Sequence, residues 1–203
     1  MENDLKQLVG QDEKIFYEGK PNKKCFLFEC IINPLLPFAI IWALIDFGMI
    51  FSSNIATEDS GMGFFFVPFF LLHLMPVWLY LGGAILSFRK YKNSYYIVTD
   101  KAVYISSGIF TKTYNTKPFQ ELSRVNLHRG IFDQMFNVGD VVISTNQFTP
   151  KGVPVNVSIN SISNYTEVFN LVKKLQTDMY TDAMYPNDMR PKENHGYNTE
   201  YKG

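Results

Sequence analysis

Two long stretches of the chain are almost continuously apolar. The first, residues 31–52, holds one charged residue, Asp46, and the second, residues 64–88, holds no charge and a single histidine, His73. Each is as long as the ~20 residues that a helix needs to cross a bilayer, and neither has the regular polar positions of a soluble helix. Because segments in lipid must satisfy their own backbone hydrogen bonds, the pattern predicts a hairpin of two transmembrane helices.

Prolines and small residues add detail to this predicted hairpin. Pro34 and Pro37 fall in the first turns of the first helix, where a missing backbone N–H costs little. Pro76 is interior to the second helix, and we expect a kink there. Small residues four positions apart permit close helix packing in lipid. We expect the two helices to meet through Ala39, Ala43, Gly83 and Ser87.

Asp46 and His73 are ionisable residues inside the apolar stretches, where such groups are costly and often functional. At a rise of about 1.5 Å per residue the two side chains reach similar depths, so they can form a pair. Two interpretations stay open. The pair is either a buried hydrogen bond with no further role, or an ion or proton relay that two helices could build only by oligomerising.

Flanking charges predict the orientation of the hairpin. Lysines and arginines occur before the first stretch and after the second, whereas the connecting loop, residues 53–63, contains neither. Short cytoplasmic segments carry an excess of these residues. We therefore expect a multi-pass protein of the cell membrane, with residues 1–30 and the C-terminus in the cytoplasm and the loop outside.

Short alternating runs replace continuous apolar sequence from residue 94 onwards, and alternation predicts half-buried strands. Asn164 followed by Glu167 predicts a capped helix start, with apolar residues then recurring at helical spacing. We expect residues 94–176 to form an antiparallel β domain closed by this helix, and the polar tail, residues 177–203, to be disordered. The predicted strands are residues 95–99, 102–107, 111–117, 124–128, 141–145 and 155–159.

Charge balance and residue chemistry exclude several classes of function. Lys and Arg total 19 and Asp and Glu total 19, which argues against a nucleic-acid-binding protein because these usually carry a basic excess. Cys25 and Cys30 lack the spacing of a disulfide framework or zinc site, and His128 is expected to be an ordinary surface residue. No phosphate loop or catalytic grouping stands out. We expect no enzyme activity, no cofactor and no metal.

The predicted β domain carries eight Lys and Arg against five Asp and Glu. Cations close to an anionic leaflet contribute about 1 kcal/mol each to membrane binding, so this domain could lie against the inner leaflet. An ordinary mixed surface is the alternative. The candidate lipid-surface contacts are Arg89, Lys90, Lys92, Lys112, Lys117, Arg124 and Arg129.

Three segments carry a resemblance to a known family. They are DEKIFYEGKP near the N-terminus, YYIVTDKAVYISSGIF after the second apolar stretch, and FQELSRVNLHRGIFDQMFNVGDVVIST beyond it. Their order resembles the bacterial pleckstrin-homology-like (PH-like) proteins of the YdbS type, also called membrane-flanked domain proteins, over residues 13–176. The resemblance implies a bent, seven-stranded, barrel-like sheet capped by a helix, and it implies no known reaction.

These expectations combine into an α+β membrane protein, with a two-helix transmembrane hairpin followed by a PH-like sheet capped by a C-terminal helix. The expected function is a non-catalytic, membrane-tethered interaction and assembly module. Its expected partners are the lipid bilayer and either another membrane protein or a second copy of the chain. The alternative is a small membrane transport or immunity and stress-resistance component that uses Asp46 and His73.

Overall fold

The computed structural model describes residues 2–52 and 63–184 of the chain. Side chains are described for residues 4–52 and 67–180. The predicted external loop, residues 53–63, therefore lies almost wholly outside the described residues. Within them, two antiparallel sheets and a C-terminal helix occur together with a group of apolar helices, which agrees with the expected α+β class.

The apolar helices differ from two unbroken spans. The first begins at Leu35, later than predicted, because the Asn33 side chain accepts a hydrogen bond from the Leu35 N–H at 2.9 Å and so caps the helix. The second is broken at Leu74, with a bend of 57° between the two parts. Pro76 lies in the first turn beyond the break, in agreement with the predicted kink. The helices are α2 (Lys23–Ile31), α3 (Leu35–Ser52), α4 (Gly63–His73) and α5 (Met75–Asn93).

Among the described residues, α3 is the one helix that is by itself long and apolar enough to cross a membrane. The bent α4–α5 pair meets that test only if both parts count as one span. Of the 18 residues of α3, only Ala39 and Asp46 are buried. Large apolar side chains such as Leu44 and Phe51 are exposed instead, which is the reverse of a soluble core helix.

In the described part of the chain, seven strands form two antiparallel sheets. The four-stranded sheet has the order β1-β2-β3-β4 and the three-stranded sheet the order β5-β6-β7. The predicted strands 95–99 and 102–107 have the predicted ends, and the other four predicted strands are confirmed with longer or shifted ends. The strands are β1 (Ile15–Gly19), β2 (Tyr95–Thr99), β3 (Ala102–Ser107), β4 (Thr113–Pro118), β5 (Leu122–His128), β6 (Gly139–Phe148) and β7 (Pro154–Ile162).

The strand β1 was not predicted, and it moves the boundary of the domain. It pairs with β2 although more than 70 residues separate the two strands along the chain. The Glu13 carboxylate just before it accepts hydrogen bonds from the Thr99 hydroxyl at 2.7 Å and the Tyr104 hydroxyl at 2.9 Å. A short helix, α1 (Glu2–Lys6), buries Leu5 against the same sheet. The N-terminal segment is thus part of the β domain.

The main core lies between the sheets and the C-terminal helix α7 (Tyr165–Met184). Val98, Ile143 and Val172 are fully buried there. As predicted, Asn164 precedes the first helical residue, and its side-chain amide donates to Glu167 at 3.2 Å. The helix continues eight residues past the predicted domain end at residue 176, so the expected disorder is wrong for residues 177–184. Residues 185–203 lie outside the described residues.

Candidate functional site

The polar pair predicted inside the apolar helices is brought into contact. His73 Nδ1 lies 2.7 Å from Asp46 Oδ1, and the Asp46 side chain is fully buried. Within the described part of the chain, Asp46 Oδ2 has no hydrogen-bond partner. The indole of Trp42 stacks on the His73 ring at 5.0 Å and donates its N–H to the His73 carbonyl at 2.7 Å. That carbonyl lies at the break between α4 and α5, where the Val77 N–H donates to the Leu74 carbonyl rather than to the His73 carbonyl.

The predicted small-residue contact is only partly formed. Ala39 on α3 and Ser87 on α5 are buried, and Ala43 is half-buried. Gly83 is exposed, and a Cβ at this position would have no neighbour within 4 Å, so the prediction that Gly83 packs between the helices is wrong for this chain.

The seven candidate lipid-contact cations are not equivalent. Lys112 pairs with Asp4 at 2.8 Å, Lys117 bonds Gln147 at 3.1 Å, and Arg129 donates to the Val138 carbonyl at 2.8 Å. These three are engaged within the folded chain. The remaining four are exposed. Arg89, Lys90 and Lys92 lie together at the end of α5, and Arg124 lies on β5.

A groove of about 570 Å³ separates the C-terminal half of α7 from the start of β5. Its floor includes the buried ring of Phe119, and Tyr180 stands exposed at its rim. None of its nine lining residues is charged: Phe119, Gln120, Leu122, Ser123, Asn146, Gln176, Thr177, Met179 and Tyr180. The groove could not be predicted from the sequence, in part because three of its lining residues, Thr177, Met179 and Tyr180, belong to the unpredicted last turns of α7.

The strand β5 borders this groove and is an edge strand of its sheet. It pairs with β6 on one side and with no strand of the described chain on the other. Gln176 of α7 donates to the Leu122 carbonyl at 2.9 Å, so at least one β5 backbone acceptor points toward the groove. Such an edge can accept another extended segment by main-chain pairing.

A group of ionisable side chains, here called the junction cluster, lies where α2 meets a short helix α6 (Ile131–Phe136) and the second sheet. Cys25 Sγ is 3.6 Å from Asp133 Oδ1, and His128 Nδ1 is 4.0 Å from Asp140 Oδ2. Two triads of potential ligand atoms, each within 4.8 Å of one another, share Asp133. The members of the junction cluster are Cys25, Glu29, His128, Asp133 and Asp140.

Burial and mutual repulsion within the junction cluster raise the pKa of two of its members, Glu29 and Cys25. Burial, followed by the neighbouring charges of Asp133 and Asp140, raises the pKa of Glu29 to about 7. Burial first, and then Glu29 and Asp133, raise the pKa of the Cys25 thiol to about 12. Sequence reasoning missed this grouping, since Cys25 and Asp133 are 108 positions apart. The spacing of Cys25 and Cys30 in the sequence did not indicate this grouping.

Comparison with known proteins gives one match. The family model described as bacterial PH domain matches residues 61–176. No curated protein and no solved structure matches the chain. The matched region begins before α4 and ends within α7, so it takes in the bent helix pair and strands β2 to β7, while β1 lies outside it.

Proposed function

The chain belongs to the bacterial PH domain family, and on that premise we propose that it is a membrane-tethered module that binds an extended segment of a partner protein. PH-like domains are generally non-catalytic interaction modules. The docking site is inferred from the uncharged groove between α7 and the edge strand β5.

The chemistry of the groove selects its occupant. An extended segment beside β5 could pair with the free edge of the strand, while its alternate side chains enter the groove. Because the lining is uncharged and combines Phe119, Leu122 and Met179 with amides and hydroxyls, it favours neutral, apolar or aromatic side chains. We therefore propose an uncharged extended segment of another membrane protein as the ligand, with a second copy of the chain as the alternative partner.

The exposed apolar surface of the helices supports the membrane tether. Leu44, Phe51 and Ile85 expose 66%, 81% and 70% of their surface, and these residues lie on α3 and α5. Contiguous apolar surface of this extent is unfavourable in water and is expected in contact with lipid. We propose that α3 and the α4–α5 pair span the cell membrane, and that both termini are cytoplasmic.

The cations at the end of α5 support the same arrangement. Arg89, Lys90 and Lys92 lie where this helix enters the β domain. In the proposed orientation they meet the anionic headgroups of the inner leaflet. Arg89 also lies 6.0 Å from the ring of the exposed Phe110, which places an aromatic side chain beside the same boundary.

Site-specific crosslinking in native membranes tests the proposed docking site. A photo-reactive amino acid in place of Tyr180 should crosslink one membrane protein, through a segment that peptide mapping identifies. The same probe in place of Phe148, which is equally exposed but outside the groove, should not. Filling the groove with Ser123→Trp should abolish the crosslink, while Asn126→Trp on the same strand should leave it intact. Equal crosslinking with both tryptophan variants would reject the groove as the site.

The buried carboxylate of Asp46, with one oxygen unpartnered in the described chain, favours a second candidate of a different class. A small transport or stress-resistance component would need the Asp46–His73 pair inside the bilayer. Substituting both residues with Ala and scoring the cellular phenotype separates the two candidates. If the phenotype and the Tyr180 crosslink survive the double substitution, the interaction module stands; loss of the phenotype with an intact crosslink favours transport.

A further inference from the structure

We propose that the junction cluster binds one zinc-class divalent cation through the Cys25 sulfur and the carboxylates of Glu29 and Asp133. The site joins α2, which leads into the first apolar helix, to α6 of the β domain. The proposal is independent of the groove and of its ligand.

The ligand geometry is close to what such an ion needs. The donor atoms of Cys25, Glu29 and Asp133 all lie within 4.8 Å of one another. Tetrahedral zinc with bonds of about 2.0–2.3 Å holds its donor atoms roughly 3.3–3.8 Å apart, so small side-chain movements suffice. A thiolate beside two carboxylates selects zinc over magnesium or calcium, because sulfur is a poor ligand for hard cations.

The electrostatics of the cluster call for a cation. Three carboxylates from α2, α6 and β6 meet there, and Asp133 is 1% exposed. The charged groups that act on the Glu29 carboxyl are Asp133 and Asp140, which raise its pKa, and the exposed His128, which lowers it. Carboxylates this close together repel one another in a low-dielectric site, and a divalent ion relieves that repulsion.

The hydroxyl of Ser161 is an independent observation at the same place. Ser161 is fully buried, and its Oγ has no hydrogen-bond partner in the described chain. Its backbone N–H donates to Asp140 Oδ1 at 2.6 Å, and its side chain lies close enough to the Cys25 thiol to influence that thiol's pKa. Buried polar atoms are rarely left unpaired, so a ligand bound at Cys25, or its water, would complete the set.

Binding exchanges protons for the ion. The Cys25 thiol is protonated at neutral pH and points to Asp133. When the ion arrives, a metal–sulfur bond forms, the S–H bond breaks, and its proton leaves to solvent together with any proton on Glu29. No electron is transferred. The result is a cross-link between the membrane-proximal helix and the domain.

The test uses the full chain in detergent after treatment with a chelator. Calorimetry should show one Zn²⁺ per chain, with a heat that depends on the buffer because protons are released. Co²⁺ in its place should give the absorption band of a thiolate–cobalt bond. Cys25→Ser should abolish the band and weaken Zn²⁺ binding at least about tenfold, whereas Cys30→Ser, the matched thiol on the same helix, should change neither.

A second variant guards against simple unfolding. Asp133 also accepts the Gly130 N–H at the start of α6, so its removal could disrupt the helix. Glu29 accepts no hydrogen bond among the described contacts, and Glu29→Gln should weaken Zn²⁺ binding at least about tenfold while the protein stays folded by circular dichroism. Absence of stoichiometric Zn²⁺ binding, or equal effects of Cys25→Ser and Cys30→Ser, would overturn the proposal.

Discussion

Gly108 shows how one residue can be required by backbone geometry. Its φ is +129°, and a Cβ there would collide with the carbonyl oxygen of Thr111. The turn that it makes after β3 brings its own carbonyl within 3.1 Å of the Asn93 amide at the end of α5. The collision with Thr111 could be known only from the folded loop.

The first prediction concerns this glycine. Gly108→Ala should lower the free energy of unfolding by on the order of 3 kcal/mol, because it adds backbone strain and a steric clash. Gly152→Ala is the matched control: Gly152 also has a positive φ, but a Cβ there meets open space. It should cost only about 1 kcal/mol. Thermal unfolding in detergent measures both, and equal losses would contradict the clash.

The second prediction concerns Glu29 in the metal-free protein. Its pKa is raised from 4.5 to about 7, so the folded state favours the neutral carboxyl. The stability that this neutral form contributes is fully present below about pH 4.5 and is lost as pH rises through about 7. With chelator present, the unfolding temperature should fall between pH 5 and 8. Glu29→Gln should flatten that fall because glutamine stays neutral, and the exposed Glu121→Gln should not.

At the scale of elements, the break between α4 and α5 is stabilised by α3. A helix break frees backbone carbonyls, which have no water to bond in a membrane. Here the Trp42 indole donates to the freed carbonyl of His73, while the His73 ring bonds Asp46 on the same helix as Trp42. The position of Pro76 in the sequence predicted the bend, but the hydrogen-bond donor to the freed carbonyl comes from another helix.

The third prediction follows from that partner. Trp42→Phe keeps the aromatic stack but removes the N–H, so it should cost about 1–3 kcal/mol of stability through an unsatisfied carbonyl. Trp78→Phe is the matched control, since its longer 3.2 Å bond to Leu71 lies on an exposed side chain. It should cost less than half as much. Unfolding in mixed detergent micelles with increasing SDS would compare them, and equal costs would rule out the proposed role of Trp42.

At the scale of the whole molecule, the chain leaves its β domain and returns to it. The domain begins with α1 and β1, is interrupted by the apolar helices, and resumes at β2. Because β1 and β2 belong to one sheet, both ends of the apolar insertion must lie on the same side of any membrane that it crosses. The constraint does not set which side that is, so the cytoplasmic orientation stays a prediction from the flanking cations.

The fourth prediction is therefore one of topology. A fluorescent protein fused after residue 203 should be fluorescent, since it stays in the cytoplasm. Alkaline phosphatase inserted between residues 53 and 62 should be active, since that loop is expected outside. The protein should remain in the membrane pellet after an alkaline carbonate wash. Release by the wash, or active phosphatase at the C-terminus, would contradict the membrane tether.

The local pattern of residues was sufficient for much of this protein. Alternation located β2 and β3 with their correct ends, apolar length marked α3, and Asn164 with Glu167 marked the start of α7, because each depends on neighbours a few positions away. Only the tertiary structure decided the pairing of β1 with β2, the groove beside β5 and the junction cluster. Those features join residues up to 108 positions apart, and chain folding, rather than local periodicity, sets which distant side chains meet.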